Sequence, residues 1–299
     1  MTSVGLLILL IFPASLSATH FKYGTMSWEL DPSDTDNLTI RLKMENGWTA
    51  NHNMFNNVGS SSNLAVKGTI KLFEYGSEGN LLIKNFSWGD GTDNVDVYVK
   101  VLSRDNDSAI LTITTESGDN ASGWTTGGLT HTYADNATTE YVISWNSCCR
   151  VSSNVQNSSA NGTSWRSQTK VNIRGTYNGN SSPVSAVPPV VQVQDNKTFT
   201  YQVSATDANS DNLTYRWGTK AEFFNGSGSF VMPTGMTLSS SGLVSWDVRD
   251  SVLCSECSQN DVNDVDDLWV AVIMVEDRHD NGTANFDSRY TGTVCNKQG

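Results

Sequence analysis

The 299-residue chain carries 31 Asp and Glu against 19 Lys and Arg, a formal charge of −12 and an isoelectric point near 4.6. It has no basic stripe to neutralise phosphate, so nucleic-acid binding is excluded, while cation binding and an acidic, solvated surface are allowed. The length suffices for two domains with cores of their own, so folding need not depend on disulfides.

The chain opens with MTSVGLLILLIFPASLS, whose apolar run Val4–Phe12 is too short to span a bilayer and is followed by the small-x-small triplet Ser15-Leu16-Ser17. Residues 1–17 read as a secretory signal peptide, although a basic n-region is missing. No later stretch is apolar enough to cross a membrane, and TGTVCNKQG at the end is not a hydrophobic lipid-anchor tail. The expected product is secreted and extracellular. Twelve N-x-[ST] sequons follow, at Asn37, Asn85, Asn106, Asn120, Asn136, Asn157, Asn161, Asn180, Asn196, Asn212, Asn225 and Asn281. Each one that is glycosylated must lie at the surface.

Short runs rich in Val, Ile, Thr, Tyr and Trp alternate with polar residues, as in NLTIRLKM (37–44), VKGTIKLFEY (66–75), VDVYVKVL (95–102) and SAILTITT (108–115). Asn, Asp, Gly and Ser clusters separate them, and no helical period holds for three turns. The fold class is therefore all-β. VDVYVKVL and SAILTITT flank the turn-rich connection 103–107 and read as a hairpin. NGNSSPVSAVPPVVQVQDN (178–196) holds three of the six prolines and is read as a linker running into an edge strand. The first domain then spans 18–182 and the second 183–299.

The acidic ladder Asp207-x-Asn209-x-Asp211 offers the oxygen ligands that calcium prefers. It is not an EF-hand, because position six is Asn212 in place of Gly, position twelve is Gly218 in place of Glu, and no helix flanks it. Calcium binding here would need further ligands from other loops. The competing reading is that these Asp and Asn residues stabilise turns through local backbone hydrogen bonds. Sequons at Asn212 and Asn281 favour that second reading. A further acidic run, NDVNDVDD (260–267), is expected to be a solvated loop, with calcium or partner binding as the alternative.

Five cysteines, Cys148, Cys149, Cys254, Cys257 and Cys295, are expected to be oxidised outside the cell. An odd number leaves one thiol for a second chain or for reaction, whether 148–149 and 254–257 close or one of the first pair bridges to one of the second. Zinc is the weaker alternative, since no second CxxC or His pair follows the first. His20, His52, His131 and His279 are scattered, without HExxH or a Gly-x-Ser-x-Gly elbow, so no catalytic role is expected and His131 reads as a structural strand residue. Of nine tryptophans, Trp28, Trp88, Trp145, Trp217, Trp246 and Trp269 sit in strand patterns and are expected in cores. Trp48, Trp124 and Trp165 fall in Asn/Gly/Ser-rich stretches and are candidates for stacking on a sugar.

Two resemblances add to this reading. FTYQVSATDANSDNLTYRW, MPTGMTLSSSGLVSW and DLWVAVIMVEDRHDNGTANFD resemble, in order and spacing, dystroglycan-type cadherin-like modules, with 249–266 as an insertion. That implies a β-sandwich of about seven strands for the second domain, and it sets the Asp207–Asp211 and VEDRHDNG loops in comparable turn positions at one end of it, which implies Glu276, Asp277 and Asp280 as the partners of a calcium ion. FSWGDGT (86–92) and LTHTYADNATTEYVISW (129–145) resemble the signatures of PKD-type immunoglobulin-like domains, which sit close together in that family and here have about forty residues between them. THFKYGTMSW and NSCCRVSS are similar to secreted multi-domain proteins that join the two kinds of module. The expectation is a tandem of sandwiches acting as an adhesive or structural glycoprotein. It would contact other extracellular proteins or copies of itself through edge strands or an inter-chain disulfide, and could build fibres or matrix. The alternative is a carbohydrate-binding module, calcium-dependent or not, that takes glycans on loop tryptophans.

Overall fold

A computed structural model describes residues 21–49, 70–73, 86–92, 97–105, 110–114, 129–134, 140–147, 165–185, 190–194, 197–223, 232, 235–247, 268–278 and 288–298. The signal peptide, Cys148, Cys149, Cys254, Cys257, Trp124, Asp280 and the acidic run 260–267 lie outside the described residues. So do the sequons at Asn85, Asn106, Asn120, Asn136, Asn157, Asn161, Asn196, Asn225 and Asn281.

The fold is all-β, as the alternating pattern predicts, with one four-residue α-helix, α1 (Lys220–Phe223), and one 3-10 turn (Gly175–Tyr177) among the described residues. Strand β2 (Thr39–Thr49) shows why. Ile40, Leu42, Met44, Asn46 and Trp48 are buried, while Thr39, Arg41, Lys43 and Glu45 between them are half-buried, because successive side chains point to opposite faces. β1 (Phe21–Leu30) pairs antiparallel with β2 along its length and is buried from Tyr23 to Trp28 without alternation, so both of its faces are covered.

β5 (Val97–Asp105) and β6 (Ile110–Thr114) form the expected hairpin, in register from Lys100↔Thr114 to Asp105↔Ile110 with a shift between Val101 and Ser103. β5 runs three residues past the apolar pattern that predicted it, because backbone pairing across the hairpin does not need apolar side chains. β8 (Tyr141–Ser147) and β9 (Trp165–Val171) pair antiparallel, and β4 (Phe86–Ser87) adds to β8. β3 (Ile70–Phe73) adds to β5, and β7 (Leu129–Thr132) to β2. Further along, β14 (Thr214–Trp217) pairs with β17 (Leu268–Glu276). A three-stranded sheet runs β12 (Thr198–Gln202), β16 (Leu243–Asp247), β15 (Thr237–Leu238), and β10 (Val184–Ser185) pairs with β13 (Ala205–Thr206).

The last strand, β18 (Ser288–Gln298), is the seam. One edge pairs with β17 from Ser288 to Asn296. Its other edge is shared between β9 at Arg289, β1 at Tyr290 and Thr291, and β11 (Val190–Gln194), which lies parallel to Val294–Gln298. The backbone of one strand therefore completes pairing for both ends of the chain.

Two apolar clusters lie on either side of the proline-rich stretch. The first runs from Phe21 to Ile173 and is dominated by Trp28, Trp145, Trp165, Phe86 and Tyr133. The second gathers Val193, Val203, Met236, Val244, Trp246 and Ile273, with Phe199, Tyr201, Tyr215 and Trp217 packed on it. Trp28, Trp88, Trp145 and Trp246 are buried, in line with their strand patterns.

Trp48 and Trp165 correct the sequence reading. Trp48 ends β2 and Trp165 begins β9, and both are buried. Phe21 stacks on Trp165 with centroids 3.9 Å apart and planes 5° from parallel, and Trp48 meets both rings edge-on. Neither offers a face to a sugar. Gly47, which looked like a loop residue beside Trp48, is a strand glycine over which the Tyr23 ring lies: a Cβ there would sit 2.0 Å from that ring.

Candidate functional site

Two constellations bring together residues that the sequence singled out. The first joins the WGDGT and LTHT segments. Gly89 turns the chain with φ +85°, and a Cβ on it would come within 2.6 Å of the Val142 backbone. Asp90 Oδ1 then accepts from the Thr92 backbone N–H at 3.0 Å and from its hydroxyl. Asp90 Oδ2 lies 2.8 Å from His131 Nε2. Burial pushes the Asp90 carboxyl up, and the Thr92 and His131 hydrogen bonds more than reverse this, leaving it below the usual aspartate range. His131 stacks on Trp88 at 4.5 Å, and the Tyr133 hydroxyl donates to the Trp88 carbonyl at 3.1 Å. Burial pushes the Tyr133 phenol far above its ordinary value. Every polar group of His131 and Tyr133 for which a partner is seen holds a strand or a turn, so this is a structural latch.

The second constellation is acidic and sits where the former linker meets β14 and β17. Antiparallel pairing of Thr214 with Glu276 sets the Asp207–Asp211 turn beside the end of β17, and the Arg278 N–H donates to the Asn212 carbonyl at 3.1 Å. Asp207 Oδ1 accepts from the backbone N–H of Asn209 at 2.8 Å and of Asp211 at 2.9 Å, while Ser210 takes φ 66°. Carboxylate oxygens of Asp207, Asp211 and Asp277 all lie within 4.8 Å of one another. Asp277 is fully buried.

Of the predicted calcium ligands, then, the fold gathers Asp207, Asp211 and Asp277. Asn209 is turned away: its Oδ1 accepts from the Ser181 N–H at 2.9 Å and its Nδ2 donates to the Gly179 carbonyl at 2.8 Å. Glu276 is turned away too, because neighbouring strand residues face opposite sides. Its Oε1 binds Arg216 Nε at 2.6 Å. Arg216 also clasps Glu222 with two hydrogen bonds of 2.8 Å. Burial pushes the Glu222 carboxyl up, but Arg216 and Thr219 outweigh it and hold it below the ordinary glutamate value.

A residue that sequence reasoning assigned only as a sequon completes this joint. Asn180 is wholly buried and its Nδ2 donates to Asp277 Oδ2 at 2.7 Å. Two residues on, Ser182 Oγ accepts from the Trp28 N–H at 2.8 Å and donates to the Trp28 carbonyl at 3.2 Å. The segment 178–182 is thus bolted to β1 on one side and to β17 on the other. Its Pro and Ser content gave no sign of this, since the partners lie 97 and 154 residues away.

The donor set fits a hard cation. Two oxygens bound to one calcium ion at about 2.4 Å can be at most about 4.8 Å apart, and all three carboxylates meet that limit. Without a positive charge, carboxylates this close repel by roughly 3–4 kcal/mol per pair at an effective dielectric of about 20.

The fold and the joint define an all-β chain of packed sheets, stitched together by a shared strand and an acidic junction. A family model described as "Integrin beta-like protein A-E, N-terminal" matches residues 22–174. The chain belongs to that family. Three proteins of Dictyostelium discoideum are similar to it. "Integrin beta-like protein C" is 32% identical across 79% of this chain and 11% of its own length. "Integrin beta-like protein A" is 26% identical across 93% of this chain and 13% of its own length. "Integrin beta-like protein B" is 27% identical across 79% of this chain and 10% of its own length. The chain spans about a tenth of the length of these relatives.

Proposed function

We propose that the chain is an extracellular adhesion module, secreted and N-glycosylated, that acts by protein–protein contact and not by catalysis. The observation that carries this reading is the family match, which covers all of the first apolar cluster but Phe21. The relatives' name likens them to integrin β chains, and a module of that kind presents surface to a partner. Within it we read the first half, to residue 182, as PKD-like and the second, from 183, as cadherin-like. The meeting of the WGDGT and LTHT segments across forty residues of sequence supports the first of these.

Beads coated with the mature chain are expected to capture cells saturably, in competition with the free protein. Clustering of the beads with one another would identify a second copy of the chain as the partner, as in fibre or matrix assembly. Beads that bind neither cells nor each other would overturn the reading.

We further propose that calcium is held at Asp207, Asp211 and Asp277. The buried Asp277 and the two turn carboxylates supply oxygen ligands, and Asn180 fixes the Asp277 carboxylate in place. Bound there, the ion would screen three like charges and stiffen the connection between the halves. Titration calorimetry of the native chain with calcium is expected to give heat from one site. Asp207→Ala with Asp211→Ala should abolish it, and a flat native titration would end the proposal.

A further inference from the structure

We infer that Asn180, although it heads an Asn-Ser-Ser sequon, is withheld from N-glycosylation, its amide being reserved as the latch of the joint. Glycosylation would join Nδ2 to the anomeric carbon of a lipid-pyrophosphate-linked sugar. The lipid pyrophosphate would leave with the electron pair, and one Nδ2 proton would pass to a base of the transferase. In the folded chain there is no room for that product. Asn180 is 0% exposed and Asp277, which receives its N–H at 2.7 Å, is also 0% exposed. The sequon's second working group is equally committed, because the Ser182 hydroxyl is buried and engaged with both backbone groups of Trp28. Around them the Asn180 N–H donates to the Tyr177 carbonyl and Ser181 is tied to Asn209, so the segment has no slack with which to swing the side chain outward. Asn212, by contrast, is exposed.

Sugar transfer acts on a chain that has not yet folded, so modification of Asn180 and closure of the joint are alternatives. A chain glycosylated there cannot bury Asp277 against Nδ2, and the folded population is the one that escaped.

This inference rests on the secretory reading above, and the test has two arms so that the two can fail separately. In the first arm, the folded protein is recovered from the medium of a eukaryotic host and its glycopeptides are mapped. The expected pattern is a glycan on Asn212 and a bare Asn180; a glycan on Asn180 in folded material overturns the inference. The second arm needs no glycan and uses protein from either kind of host. Asn180→Asp, which adds a fourth carboxylate to the cluster of Asp207, Asp211 and Asp277, is expected to lower the melting midpoint by about 5–10 °C. Asn212→Asp should leave the midpoint within about 1 °C. If Asn180→Asp does not fold, Asn180→Ala, which adds no charge, should fold and melt several degrees lower. Should these Asn180 variants melt with the parent, the reserved amide is refuted whatever the glycan map shows. Glycans absent from every sequon would refute the secretory glycoprotein reading, and the melting arm would still decide the latch.

Discussion

Trp165→Ala is expected to lower the free energy of unfolding by about 4 kcal/mol. The side chain is 0% exposed and joins three strands at once. It stacks on Phe21 of β1, meets Trp48 of β2 edge-on at 5.7 Å, and meets Trp145 of β8 edge-on at 5.2 Å. Removing it deletes the transfer free energy of a large side chain and leaves a cavity that three rigid rings cannot collapse into. Typical domains hold only about 5–15 kcal/mol of net stability, so this loss removes between about a quarter and four fifths of it. Urea titration followed by far-ultraviolet dichroism measures it through the shift in midpoint. Trp165→Phe keeps a stacking ring and should recover more than half of the loss. An alanine variant that unfolds at the parental urea concentration would show that Trp165 does not hold this cluster.

The second large effect is expected at Arg216. Its guanidinium binds Glu222 and Glu276, whose side chains are 10% and 8% exposed. Burial works against the Arg216 charge, and the two carboxylates, Glu222 above all, overcome it and raise its affinity for the proton. Arg216→Met leaves both carboxylates in a poorly solvated site. Breaking a fully buried pair costs about 3–5 kcal/mol. Because Arg216 is itself 36% exposed, solvent screening reduces the expected loss to roughly 2 kcal/mol.

The pH dependence gives the sign. Glu222 is held below the ordinary glutamate value, so its contribution is fully present above about pH 4.3 and is lost as pH falls through the lowered folded value. In Arg216→Met burial acts on that carboxyl with the Thr219 hydrogen bonds left to oppose it, so its protonation costs the fold less than in the parent. The gap between parent and variant should therefore narrow as pH falls below about 4.5, and Glu222→Gln in the variant background should restore part of the loss at neutral pH. A gap that stays constant from pH 7 to pH 3 would rule out the charge account. The site matters beyond its own strands, because α1 packs on β9 and the Arg166 side chain faces Glu222 from that strand.

How much of this was legible beforehand follows the range of the interactions involved. The β2 pattern, the hairpin of β5 and β6, and the absence of long helices among the described residues could be read from residues within about ten positions of one another, because side-chain alternation and turn chemistry are local. The two short signatures around Trp88 and His131 were also visible as motifs, although nothing local said that they touch. The loop reading of Trp48 and Trp165 failed for a definable reason. Asn, Gly and Ser around Trp48 and Trp165 look like loop composition, yet Gly47 is small because a tyrosine ring lies across it, and both indoles fill the space between facing strands.

The sequence by itself determined the all-β class, an acidic surface and the list of groups available for metal, sugar and disulfide chemistry, since each depends on composition or on near neighbours. Only the tertiary structure decided which of those groups meet. Asp277 reaches Asp207, Asp211 and Asn180 because β14 and β17 pair, Glu276 goes to Arg216 because strand neighbours face apart, and β18 joins both ends of the chain through backbone hydrogen bonds that no side chain announces.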